Sequence, residues 1–207
     1  MIRPNSDLLQ EAKESLSGRW GLAIGGFLLG GVITGVAQNI PGIGIVISLI
    51  ITGPMMLGLA TFAQSYARKD QEPELDQIFS GFNNFGTALG AYLLMVLYVF
   101  LWFLLLIVPG IIAALSYSQI FFIIADNPTI SVSDALKESK EMMEGHKMKL
   151  FLLGFNFIGW IFLCILTLGI GFLWLMPWIR VSYANFYNEI NPNGATDKYL
   201  LDDDILI

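Results

Sequence analysis

The sequence predicts an all-α polytopic membrane bundle of six transmembrane helices in three pseudo-repeated hairpins, each preceded by a cytoplasmic interfacial amphipathic helix. Three observations predict it. Of 207 residues, 55 % are hydrophobic and only 14 % charged, against about 25 % charge in an ordinary soluble domain. The apolar residues come in runs of about 17 to 25, the length a helix needs to cross a bilayer. Every Lys and Arg except Arg180 lies before the first run, between the second and third, between the fourth and fifth, or after the sixth.

The leading segment, about 6–17, is polar with Leu8, Leu9, Ala12 and Leu16 at helical spacing, so it reads as a helix lying in the interface and not as a removable signal peptide. The first run, Trp20–Asn39, carries glycines on two faces: Gly21 and Gly25 on one, Gly26 and Gly30 opposite. Small residues let helix backbones approach closely. The pattern therefore predicts a central helix gripped from two sides, and leaves homo-oligomerisation open. Pro41-Gly42 closes the first hairpin, and the second run, Ile43–Tyr66, contains Pro54, which predicts a bend.

A short amphipathic segment, Glu74–Gly81, precedes the third run, Gly86–Val108. Pro109-Gly110 is the expected second turn, followed by Ile111–Ala125. The next polar segment, Ser133–Gly145, aligns without a gap on Ser6–Gly18, and the same offset superposes Gly42-Ile43-Gly44 on Gly169-Ile170-Gly171. This repeat predicts a unit of amphipathic helix, glycine stop and membrane hairpin. The fifth and sixth runs are Leu150–Leu168 and Ile170–Tyr187, the last with Pro177 as a second bend. The chain is read as a single membrane domain over 1–207, with pseudo-repeats at about 5–66, 73–126 and 131–190 and an acidic tail at 191–207.

An even number of spans puts all the charged segments on one side, and the positive-inside rule makes that side the cytoplasm, with both termini. The opposite face is left with three nearly uncharged turns, which excludes a sizeable external receptor domain.

Arg180 is the sharpest candidate for chemistry, because a basic residue near the bilayer centre costs roughly 2.5 to 3.5 kcal/mol on insertion scales. Two roles are open to it. It can hold the bundle through polar groups such as Gln119 and Asn156, or with them it can bind an anionic headgroup or substrate. Asp126 and Glu189 are expected to be solvated charges at helix ends. No carboxylate lies clearly mid-membrane, which argues against an ion-coupled pump. Cys164 reads as buried packing, and His146 has no ligand-spaced partner, so neither metal nor cofactor is expected. No nucleophile motif, phosphate-binding loop or basic nucleic-acid surface is present, and an enzyme is not expected.

Several strings together carry a resemblance: Ile78-Phe79-Ser80-Gly81-Phe82, Val108-Pro109-Gly110-Ile111-Ile112, Glu138 to Lys147, Phe157-Ile158-Gly159-Trp160 and Leu166 to Gly171. They resemble the bacterial membrane proteins grouped as domain of unknown function 975. The resemblance implies a multi-pass membrane protein and supplies no catalytic residues. That family is also distantly similar to the membrane-anchoring region of some glycerophosphodiester phosphodiesterases, whose separate catalytic domain has no counterpart here. The resulting expectation is a non-enzymatic accessory or scaffold protein of the cell membrane that binds lipid or a partner membrane protein. The alternative is a small transporter or flippase with a midplane anionic-substrate site near Arg180.

Overall fold

The computed structural model describes residues 3–68 and 72–191. The acidic tail beyond Asn191 and Lys69 lie outside them. The described chain is all-α. In order it forms α1 (Asn5–Leu16), α2 (Trp20–Gln38), α3 (Gly44–Ala67), a 3-10 helix (Leu75–Phe82), α4 (Phe85–Leu105), α5 (Ile107–Ser116) and α6 (Ile120–Asp126). It continues through α7 (Val132–Met142), α8 (Lys147–Phe155), α9 (Ile158–Leu166) and α10 (Phe172–Ile190). Among the described residues, five segments are long and apolar enough to cross a membrane: α2, α3, α4, α5 with α6, and α8 with α9. They keep broad apolar surfaces outward, as at Leu104 and Leu105, the composition of a surface that faces lipid.

Local sequence explains where these elements stop. Gly18 and Gly145, just past α1 and α7, both take positive φ, the left-handed conformation that glycine supplies at a helix end. The second hairpin turns at Leu106 alone, not at Pro109-Gly110 as expected. Pro109 is the third residue of α5, where its missing N–H removes a donor that would have had no intrahelical partner. Two expected continuous helices are interrupted. Between α5 and α6, the buried Ser139 hydroxyl of α7 donates to Ser116 O (2.8 Å) and accepts from the Gln119 amide (3.3 Å). Between α8 and α9, Asn156 folds its side-chain amide back onto Leu152 O (2.8 Å), a local bond that competes with the helical ladder.

The three polar connecting elements do not lie free in an interface. In α1 the stripe Leu8, Ala12 and Leu16 is fully buried against α10, α3 and α8, so it faces protein where an acyl boundary was expected. The middle element is a 3-10 helix that packs on α3, burying Ile78 while Leu75, Phe79 and Phe82 stay exposed. Its approach to α3 is backbone to backbone: a Cβ on Gly81 would collide with Pro54 O, and one on Gly58 with Ile78 O. Helix α7 packs on α4, α5 and α6. Each polar element thus docks on the hairpin before it in the chain, and α1 closes the circle on the last.

The glycine faces of α2 separate. Gly26 lies against Phe62 and Ile78, and a Cβ on Gly30 would sit 3.0 Å from Leu59, whereas Gly21 and Gly25 face open space. The Gly26 and Gly30 face is the one α3 and the 3-10 helix meet, and α2 also packs on α10. Pro54 lies within α3 and Pro177 within α10, and both helices run through them.

Candidate functional site

Four of the five tryptophans, Trp20, Trp160, Trp174 and Trp178, line one cavity of about 320 Å³ together with Lys13. Helix α1 builds its roof. The Trp178 indole N–H donates to Leu9 O (2.9 Å). Four residues on, and so on the same face of α1, Lys13 places its ammonium 4.6 Å from the Trp178 ring centroid and 5.7 Å from that of Trp160. One helix face therefore holds Trp178 by its edge and covers it with a cation. Trp178 is held from the side as well, packing at near-right angles on Trp160 (5.5 Å) and Phe157 (5.1 Å).

Cation–π contact stabilises a lysine by roughly 0.5–2 kcal/mol without neutralising it. Lys13 is exposed and forms no ion pair among the described residues. Below it the walls are apolar: Leu163, Cys164 and Leu175, with the Thr167 hydroxyl near the turn. A full positive charge above an aromatic, otherwise apolar slot fits an anionic amphiphile, its head on Lys13 and its chain among the indoles. Slots of this size and lining are typical of small-ligand sites.

The residues expected to act together are spread out. Arg180 is half-buried, with Tyr183 as its electrostatic neighbour, and among the described residues it forms no hydrogen bond or ion pair. Gln119 is buried at the α5–α6 break, its side-chain N–H on Ser118 Oγ (2.9 Å) and its carbonyl oxygen without a partner. Asn156 is exposed and bonded to its own helix. No hydrogen bond joins any two of the three.

The carboxylates expected to be solvated are instead joints. Asp126 accepts from Arg68 (2.7 Å), the Tyr187 hydroxyl (2.7 Å) and Asn191 (3.3 Å) through one oxygen, and from Gln64 (3.1 Å) through the other. It ties the ends of α3, α6 and α10. Glu189 is bound by Arg3, whose guanidinium also reaches Glu11 (2.7 Å). Among the described residues no group of three His, Cys, Asp or Glu side chains is placed to hold a metal.

The tryptophan cavity escaped the sequence reading, although Trp160, Trp174 and Trp178 flank a single turn. What that reading lacked was α1, which supplies the cation from about 150 residues away.

Among known proteins, a family model described as "Protein of unknown function (DUF975)" matches residues 1–114 and 103–194. No curated protein matches the chain, and no solved structure does.

Proposed function

Because the chain belongs to the family DUF975, whose description assigns no activity, we propose its role from its own geometry. It is a non-enzymatic, multi-pass cell-membrane protein that retains an anionic phospholipid at the tryptophan cavity. In that capacity it serves as an accessory or scaffold for neighbouring membrane components. The observation that carries this reading is Lys13: an ammonium resting on two indole faces, unpaired among the described residues, above an apolar slot.

The finer topology of this proposal is three hairpins with six membrane-embedded segments and both termini in the cytoplasm. The positive-inside distribution of Lys and Arg supports the orientation. The cyclic docking of α1, the 3-10 helix and α7, each on the preceding hairpin, supports three pseudo-repeats, and the broad apolar surfaces support the membrane setting.

The test is native mass spectrometry of protein released gently from its own membrane, comparing wild type with Lys13→Gln and Arg180→Ala. Retained anionic phospholipid should fall several-fold in Lys13→Gln and persist in Arg180→Ala. Unchanged retention in Lys13→Gln overturns the site. Loss confined to Arg180→Ala moves it to Arg180.

A further inference from the structure

The third hairpin differs from the first in the depth of its tip. Trp20 is the first residue of α2, immediately after the polar segment that holds Lys13 and Arg19. The first hairpin turns at the other end of the 19-residue α2, about 27 Å from Trp20 at 1.5 Å per residue. Yet Thr167 and Gly171, at the tip of the third hairpin, line the same 320 Å³ cavity as Trp20 and Lys13. A second measure agrees. Lys13 rests on Trp160, and Trp160 precedes Thr167 by seven residues of nearly continuous helix, about 10 Å. The tip thus lies close to the end of the bundle that carries the charges, far short of the first turn.

The chemistry of the tip matches that position. Leu166, Leu168 and Ile170 are 79 %, 95 % and 61 % exposed, whereas the first turn sets the exposed Gln38 and Asn39 beside Ile40 and Ile43, 40 % and 57 % exposed. Leu168 takes φ 53°, a left-handed conformation in which Asn, Asp or Gly is the ordinary occupant.

The backbone is closed as well. The amides of residues 167 to 170 and 172 to 174 all donate to main-chain carbonyls. The remaining one, of Gly171, donates to Thr167 Oγ1 (3.1 Å), whose own proton goes to Cys164 O (2.9 Å). In the first turn, the amides of Ile40, Gly42 and Ile43 donate to no main-chain carbonyl. Pairing of the tip amides within the chain suits hydrocarbon, where no water can accept from them.

We infer that the third hairpin is re-entrant: it enters the bilayer from the charged side and turns back inside the hydrocarbon, with Leu166, Leu168 and Ile170 packed among acyl chains. The inference rests on the proposed membrane placement. It also gives Arg180 a berth. Two residues beyond Trp178 and away from the tip, Arg180 lies at the headgroup level that Lys13 marks, not at the bilayer centre.

The test uses the full chain in vesicles of phosphatidylcholine and phosphatidylglycerol. In a Cys164→Ala background, Leu168→Cys and Asn39→Cys each carry an environment-sensitive thiol-linked fluorophore. The Leu168 probe should be quenched at least twofold more by lipids with a nitroxide deep in the acyl chain than by headgroup-labelled lipids, and the Asn39 probe the reverse. A Leu168 probe with the Asn39 pattern overturns the inference. So does labelling of both thiols at equal rates by a membrane-impermeant maleimide. Ile170→Cys repeats the measurement away from the left-handed position. Because this readout is depth and that for Lys13 is lipid retention, failure of one is distinguishable from failure of the other.

Discussion

Arg3 and Glu189, 186 positions apart, are joined twice: the Arg3 main-chain amide donates to Glu189 Oε1 (2.9 Å), and its guanidinium to Oε2. The pair fastens the start of the chain to the end of α10. Burial alone would raise the Glu189 carboxyl pKa, but the two Arg3 contacts outweigh it and hold the group below the ordinary carboxylate value. A depressed carboxylate contributes stability that is complete above its unfolded pKa, about 4.3, and is lost as pH falls through the lower folded value. Glu189→Gln should therefore lower stability at pH 7 by about 1–3 kcal/mol. The deficit should shrink below about pH 4, as read from tryptophan-fluorescence melts in detergent at each pH.

Asp126, at the end of α6, takes donors from the ends of two other elements, α3 and α10. In Asp126→Asn one carboxylate oxygen becomes an N–H₂ facing Gln64 or Arg68, so a donor meets a donor. The expected loss is about 2–3 kcal/mol, somewhat below that of breaking a fully buried pair because the carboxylate is 21 % exposed. Arg68→Ala should cost less than Asp126→Asn, since it leaves the other acceptor bonds intact. Equal melting shifts for the two variants would contradict the joint.

Ser139 bridges the α5–α6 break from inside the protein. Ser139→Ala leaves the Gln119 amide and Ser116 carbonyl buried without this partner, at a cost of about 1–3 kcal/mol. Ser139→Thr retains the hydroxyl and should recover part of the loss. Amide hydrogen exchange at residues 117–119 should rise in the alanine variant and nowhere else to the same extent.

Gly58 admits the backbone of the 3-10 helix so closely that a Cβ would overlap Ile78 O. Gly58→Ala must push that helix off α3, with an expected loss of at least 1–3 kcal/mol. Gly21→Ala, where a Cβ meets nothing, should be neutral or slightly stabilising. Limited proteolysis within residues 72–84 would report the release.

The membrane segments were legible in the sequence because a bilayer imposes a simple length rule on apolar runs, and five of the expected segments meet it by length and composition. Gly18 and Gly145 were equally legible as helix stops, since left-handed backbone selects glycine. The polar elements were misread for one reason. A stripe such as Leu8, Ala12 and Leu16 is written alike whether it will meet lipid or protein, and only the distant partner, α10, decides. Asp126 and Glu189 were misjudged in the same way, because a terminal carboxylate looks solvated until Tyr187 or Arg3 arrives from elsewhere in the chain. The cation of the tryptophan cavity shares that distance from its aromatic partners.

The docking of α1 on α10 also sets an order of events at the ribosome. Helix α1 is made well before its main partner, α10, so the stripe of Leu8, Ala12 and Leu16 stays only partly covered, by α3 and then α8, until α10 is made. The 3-10 helix and α7 meet hairpins already inserted and dock as they are made. During that wait α1 needs a temporary host for its apolar face, and the adjacent lipid surface is at hand. Truncation before α10 should leave α1 open to protease while the first two hairpins assemble, so a late segment seals an early one.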